Sequence, residues 1–381
     1  MANGGQRVLI LSASMGGGHL QISRELRRRL LARGHDAEVV DQLDLMPAPT
    51  GDWLGGIYPF LVNRAPGLYQ RVYDTFLIAE QRAGERVGIP VRLALRGLRR
   101  LVGAYRPDLA VATYPLSALA LGELRERGQL RCPALTVVTT FSVNNLWLHP
   151  AADGELCISE PAAAEVTRRT GRPARVVGPV IRPGLQHPSG DPALARAELG
   201  IDPAQRIALV TTGSQGLAGS ASIAATAIAA RPGWTPVVLC GRNESLRAAM
   251  RQQPGVRPLG WVDDMPSVMA AADVLVDNAG GMSSKEALGF GLPIVTFRPL
   301  TGHGRDDARA MEQLGLTTVV EEEDHLLSEL DRLCSDRQAR AARIEHGREL
   351  FVADAADAVE AAMSPVSSVP LETGSPAGSS R

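Results

Sequence analysis

The sequence predicts two doubly wound α/β domains that face each other across a cleft. Three observations predict it. Glycine turns follow apolar, β-branched strands in both halves of the chain, at residues 16–18, 213–216 and 280–281. Helical periodicity follows each turn, which is the strand–turn–helix step of a parallel sheet. A proline- and glycine-rich stretch at residues 179–192 parts the two halves, as linkers with few crossing contacts do. The length, 381 residues, also exceeds a typical single core.

The first strand is expected at residues 7–12, RVLILS, followed by the turn Ala13-Ser14-Met15-Gly16-Gly17-Gly18-His19. Residues 20–32 then carry Ile22, Leu26, Leu30 and Leu31 at helical spacing, with Gly34 as a C-cap. A second strand at residues 37–40 ends at Asp41. This unit places Gly16, Gly17, Gly18 and His19 at the carboxyl end of a strand, where open α/β sheets bind ligands. Residues 46–82 form an aromatic insertion, with Trp53, Tyr58, Phe60, Tyr69, Tyr73 and Phe76 in a chain that is only 4% aromatic. They fit a helical flap, or a surface touching lipid or acceptor, since Arg64 and Arg71 stand among the rings. Residues 87–105 read as an amphipathic helix with Arg92, Arg96, Arg99 and Arg100 on one face. Strands at 108–113 and 134–139, the loop 140–150, and strands at 155–159 and 174–177 complete a first domain of residues 1–178.

The second domain is expected at residues 193–363, beyond a hinge at 179–192. It opens with a helix at 193–198 and a strand at 206–210, then the turn Gly213-Ser214-Gln215-Gly216. Further strands are expected at 235–240, 256–259, 273–277, 294–297 and 317–320. Ser283 and Ser284 suit a helix N-cap. Polar helices run on to about residue 362, and the tail, 364–381, is rich in Ser, Pro and Gly and is expected to be disordered.

Composition excludes several classes. Net charge is −1, so no global basic field points to nucleic acid. Cys132, Cys157, Cys240 and Cys334 are far apart, which argues against a zinc site or a disulfide framework and for a reducing cytoplasm. No stretch approaches the ~20 apolar residues of a membrane span, so any meeting with a membrane, such as the inner face of the plasma membrane, is from the protein's surface. Asp263-Asp264 and Asp306-Asp307 read as helix starts rather than metal ligands, and a metal-independent mechanism is expected. Lys285 is the only lysine.

The chemistry converges on a nucleotide-sugar site. Gly213, Ser214 and Gln215, together with Gly280, Gly281, Ser283 and Ser284, offer backbone and hydroxyl donors for a diphosphate, each helix start favouring an anion by ~0.3–1 kcal/mol. Gly260-Trp261-Val262 follows a strand; its backbone suits a flat base edge, with Trp261 beside the ring or simply packed in the core. Glu286 sits one turn into its helix, where it would accept from a ribose diol. His19 titrates near neutrality and suits a general base, or else a local hydrogen bond at the helix start. His303, in the loop Thr301-Gly302-His303-Gly304, suits a phosphate or a sugar hydroxyl.

Two blocks carry a family resemblance: SASMGGGHLQISREL, residues 12–26, and DNAGGMSSKEALGFGLPIV with the following TGHGRDDA. They resemble the monogalactosyldiacylglycerol synthase group of GT-B glycosyltransferases, and the C-terminal half is also similar to the N-acetylglucosaminyltransferase that makes lipid II. The resemblance implies two Rossmann-like domains, a UDP-sugar co-substrate on the second, a lipid hydroxyl acceptor such as diacylglycerol on the first, inversion by direct displacement, and no cofactor. It implies that His19 deprotonates the acceptor, that Glu286 holds the ribose, and that Gly16, Gly17, Gly18, Asn144 and Trp147 border the acceptor. The chain departs from the family pattern at Thr140, where an aspartate is usual, and at Asn144, where a histidine is usual. Thr301 and Gly304 lose a proline and a glutamate, and Asp307 replaces an asparagine; the sugar-hydroxyl contact of that glutamate is missing.

Other readings compete: transfer to a small-molecule or natural-product acceptor, a sugar-nucleotide epimerase or hydrolase, and a non-catalytic UDP-sugar binder. A dinucleotide oxidoreductase would use Asp41 on a ribose, but Ser14-Met15-Gly16-Gly17-Gly18-His19 is not G-x-G-x-x-G.

Overall fold

A computed structural model describes residues 5–15, 17–56, 67–68, 71, 88–186, 191–213 and 219–363. Gly16, Ser214, Gln215, much of the aromatic insertion, part of the hinge and the tail lie outside the described residues.

The first sheet contains β1 (Arg7–Ser12), β2 (Asp36–Asp41), β3 (Leu109–Ala112), β4 (Ala134–Val138), β5 (Gly154–Cys157) and β6 (Arg175–Val176). Their order is β2-β1-β3-β4-β5-β6 and every pairing is parallel. The second holds β7 (Arg206–Thr211), β8 (Trp234–Leu239), β9 (Arg257–Leu259), β10 (Val274–Asp277), β11 (Ile294–Phe297) and β12 (Val319–Val320), in the order β12-β11-β10-β7-β8-β9, again parallel. The central strands are buried along their whole length. Helices cover both faces of such sheets, so continuous apolar runs such as LAVA and IVTF belong there.

Helices α1 (Gly17–Ala32), α2 (Ile89–Tyr105), α3 (Pro115–Glu126) and α4 (Glu160–Thr170) flank the first sheet. The second carries α5 (Pro192–Glu198), α6 (Gly219–Ala229), α7 (Glu244–Arg251), α8 (Met265–Ala271), α9 (Met282–Phe290), α10 (His303–Gln313), α11 (Glu323–Ser335) and α12 (Arg337–Arg348). In each sheet the order reverses beside the first strand. β1 lies between β2 and β3, and β7 lies between β8 and β10. Chains leaving two such neighbours diverge, and a crevice opens at their carboxyl ends. His19 stands at one crevice; Gly213 and Gly280 stand at the other.

One boundary needs correction. The second domain does not keep the chain to residue 363. Helix α13 (Ala355–Met363) crosses back, and its Ala355, Ala356, Ala358 and Val359 share a core with Val8, Ile10, Leu26 and Leu109 of the first domain. Arg29 of α1 and Arg33 just beyond it fasten it through Asp354 at 2.9 Å each. The outgoing linker and the returning segment before α13 cross at Gly178, whose N–H donates to Ala353 O at 2.8 Å.

Candidate active site

A cleft of about 280 Å³ opens between the two crevices. The first domain lines it with Met15, Gly17, Gly18, His19, Gln21 and Thr139–Thr140. The second lines it with the turns at 211–213, 260–262 and 277–283, with Lys285 and Glu286, and with His303 and Asp307.

His19 is fixed by one ring nitrogen. Its Nδ1 lies 2.9 Å from the Thr113 carbonyl oxygen. A carbonyl only accepts, so Nδ1 carries the hydrogen and Nε2 keeps its lone pair. Thr139 Oγ1 lies 3.3 Å from the same Nδ1, and the Tyr114 ring packs edge-on at 4.9 Å. Burial pushes the imidazole down to about 4, with the charge of Lys285 and His303 adding to that push. At neutral pH the ring is an uncharged base with its acceptor nitrogen unspent by this network.

On the donor side, the turn after β10 is tight because Gly280 takes φ +61°, a conformation that suits glycine. Asp277 Oδ2 accepts the N–H groups of Ala279 (2.9 Å) and Gly280 (2.6 Å). The N–H of Gly280 is therefore already used. The N–H groups at the start of α9, after its N-cap Gly281, are the helix end that faces the cleft. Gly213 also takes a positive φ, +67°, at the end of β7.

Glu286 is buried and fully engaged. Arg182 Nε donates to its Oε1 at 2.8 Å, and Gln21 Nε2, from the first domain, donates to the same oxygen at 3.0 Å. A second Arg182 nitrogen reaches Oε2 at 3.3 Å. Burial raises this carboxyl, and Arg182 and Gln21 oppose the rise. His303 is lowered by burial. Trp261 is half-exposed at 50%; its Nε1 donates to Asp263 at 2.9 Å and the Arg242 guanidinium lies 4.6 Å from its ring centre. It is an open flat surface beside Val262 at the cleft rim, not core.

Several expected site residues do not face the cleft. Trp147 is fully buried behind His19, its ring 6.1 Å from the imidazole, and it does not line the cleft. Asn144 caps a short 3₁₀ turn, accepting the Leu146 N–H at 3.1 Å. Ser284 is fully buried and does not line the cleft. Neither Ser283 nor Ser284 is the N-cap, because α9 begins one residue earlier, at Met282. Ser283, Gly17 and Gly18 do line the cleft.

Sequence reasoning missed Arg182, Gln21, Lys285 and Asp307. Arg182 had a signal: a charged residue in a hinge borders the cleft that the hinge forms. Lys285 had another, as the lone lysine beside Glu286.

Away from the cleft, Glu123, Glu126 and His149 come together. His149 Nδ1 accepts the Ala151 N–H at 3.1 Å. Its Nε2 then carries the hydrogen and faces the two carboxylates as a donor, 3.9 Å from each, which is the wrong tautomer for a metal ligand.

Residues 19–181 match the family model of monogalactosyldiacylglycerol (MGDG) synthase, and residues 207–359 match that of the glycosyltransferase family 28 C-terminal domain. Both models describe glycosyltransferases, and the chain is a glycosyltransferase. Its relatives include the processive diacylglycerol beta-glucosyltransferases of Bacillus subtilis, 22% identical with 94% of each chain covered, and of Bacillus pumilus, 21% identical with 88% of each covered. Among solved structures, the spinosyn rhamnosyltransferase SpnG complexed with thymidine diphosphate matches with a TM-score of 0.66 at 15% identity, covering 93% of this chain and 99% of that one. MurG of Acinetobacter baumannii matches at 0.58 and 14%, covering 93% and 99%. These structural likenesses show the GT-B fold of this glycosyltransferase.

Proposed function

We propose that this glycosyltransferase moves a hexose from a UDP-sugar to the hydroxyl of a diacylglycerol-type lipid, with inversion. The observation that carries the reading is the His19 tautomer: Nδ1 is tied to Thr113 and Nε2 is left as a neutral base across the cleft from the donor turns. The acceptor hydroxyl gives its proton to Nε2. Its oxygen attacks the anomeric carbon from the face opposite the phosphate, the bond from that carbon to the phosphate oxygen breaks, and UDP leaves with the electron pair. A base of this kind contributes ~10²–10⁴-fold.

The donor half supplies the electrostatics. The N-terminal end of α9 favours the leaving diphosphate. Arg182 is the cation nearest the ribose-side carboxylate. Glu286 already sits on Arg182 and Gln21, so a ribose diol would take over the place of Gln21 on Oε1. Trp261 and Val262 offer a flat surface and backbone for the base. Metal and cofactor play no part in this reading.

A lipid acceptor is supported by the diacylglycerol glucosyltransferase relatives and by the surface of the first domain. Helix α2 has no acidic residue, and its Ile89, Arg92, Arg96, Arg99 and Arg100 are exposed opposite the buried Val91, Leu95, Leu98 and Val102. Trp53 and Leu68 add exposed apolar surface at 69% and 55%. Such a face suits an anionic bilayer surface. Among the described residues no helix is long and apolar enough to cross a membrane.

The test is a matrix of UDP-glucose, UDP-galactose and UDP-N-acetylglucosamine against diacylglycerol vesicles and water-soluble aglycones. Glycolipid formation with release of UDP is expected from one donor. Transfer only to soluble aglycones would replace the lipid reading, and free sugar without transfer would favour a hydrolase.

A further inference from the structure

The two domains are tied across the cleft by a contact that no donor or acceptor motif explains. Asp307, buried on α10, accepts the Ser142 N–H at 2.8 Å and the Ser142 hydroxyl on the same Oδ1. The Phe141 N–H is directed at the same carboxylate. All three donors come from the first domain, and the carboxylate belongs to the second. The Phe141 side chain goes further. It is 2% exposed, packed in a core otherwise built largely of second-domain residues, including Leu209, Leu275, Ile294 and Met311. The Lys285 ammonium stands 5.3 Å from the Phe141 ring centre and is anchored on Gly280 O at 2.6 Å. Lys285 and Asp307 attract each other.

This grip lies next to the base. Thr139 and Thr140 immediately precede Phe141 and line the cleft, and Thr139 Oγ1 is 3.3 Å from His19 Nδ1. Four consecutive residues thus run from the imidazole to the donor half.

We propose that Asp307 and Lys285 are positioning residues, which grip residues 141–142 and thereby fix His19 and Thr139 at a set distance from the donor. The inference rests on the reading of His19 as the base. Its energetics are those of a buried carboxylate held by partners: three N–H and O–H donors and one ammonium offset part of its desolvation. Removing the carboxylate leaves those donors and the ammonium buried without it, so the loop gains a reason to leave. Misplacing a base by about 1 Å costs on the order of 10²-fold.

The experiment compares Asp307→Ala, Asp307→Asn and Lys285→Met in the full chain. Three readouts are taken: kcat, UDP affinity by calorimetry, and amide hydrogen exchange of residues 140–144. Asp307→Ala is expected to lower kcat by about 10²-fold and to speed exchange of those amides, with UDP affinity changed by less than about threefold. Asp307→Asn keeps an oxygen acceptor for Ser142 and should recover most of kcat and of the protection. Lys285→Met should fall between. A folded Asp307→Ala protein with wild-type kcat, or with residues 140–144 as protected as before, would overturn the proposal. If Asp307→Ala does not fold, Ser142→Ala and Phe141→Leu take its place: partial loss of kcat and of protection supports the grip, and no change in either rejects it. If His19→Ala keeps full transfer while Asp307→Ala still loosens the loop and lowers kcat, the base assignment falls and the grip stands.

Discussion

The imidazole of His19 is kept as a neutral, oriented ring by its hydrogen bond to Thr113 and by withdrawal from water, as the base of the proposed reading requires. The first selects the tautomer; the second keeps the ring neutral. Both were beyond the sequence, which offers His19 after three glycines but not Thr113, 94 residues away, as its partner. The same limit applies to Glu286, whose place in a helix is legible but whose partner Arg182 is 104 residues distant. Trp147 and Asn144 misled for a related reason. Their loop is adjacent to the cleft, and only packing decides that Trp147 turns inward and Asn144 caps. The neutral imidazole has a consequence for stability. Its ordinary value is 6.5 and the folded value is about 4, so between them the unfolded chain binds a proton that the folded chain refuses. That contribution, up to ~3 kcal/mol, is present above pH 6.5 and is lost as pH falls through about 4. Asp307, pushed up to about 6 by burial, works the other way: its contribution is present below 3.8 and lost as pH rises through 6. Both proteins share the Asp307 effect, so the difference between wild type and His19→Gln isolates His19. Urea midpoints taken from pH 7.5 to 4.5 should fall more steeply for the wild type; parallel curves would remove the neutral, buried imidazole from the account.

At the scale of elements, strands and helices were legible wherever apolar residues recur with one clear period. The glycine turns marked the carboxyl ends of β1, β7 and β10 because only a tight, open turn can join a buried strand to a helix there. Helix α13 was not legible as part of the first domain. Its Ala-rich face fits either domain, and the choice is made by a chain crossing that no local pattern records. That crossing is tight. A Cβ on Gly178 would meet Phe351 Cα at 2.9 Å and Ala353 O at 3.1 Å. Both are backbone atoms and cannot swing aside. Gly178→Val should therefore cost ~1–3 kcal/mol, read as a lower urea midpoint. Gly103→Ala is the control, since nothing lies within 4 Å of the added carbon on α2, and it should hold or raise the midpoint, as an added helix former does. Equal midpoints for Gly178→Val and wild type would mean that the linker and the returning segment do not pack as described.

At the scale of the whole molecule, two sheets present their switch points to one another. The first domain's crevice holds a neutral histidine, and the second domain's crevice holds a helix start and a carboxylate paired with an arginine; in the proposed reading the transferred group passes through the cleft between them. The resemblance in residues 12–26 and 277–307 pointed to this arrangement, because those residues are the two crevices. It did not reveal the ties that close the cleft, Gln21 to Glu286 and Ser142 to Asp307, since each joins two parts of the chain more than 160 residues apart. In the proposed reading, the arginine face of α2 meets an anionic bilayer and a lipid hydroxyl reaches His19. The most direct measurement is hexose transfer from a UDP-sugar to diacylglycerol in anionic vesicles, by wild type and His19→Ala, with UDP affinity measured for both. The prediction is a loss of at least about 10²-fold in transfer with UDP affinity within about threefold, because the base acts on the acceptor and not on the nucleotide. Full transfer by His19→Ala would contradict it.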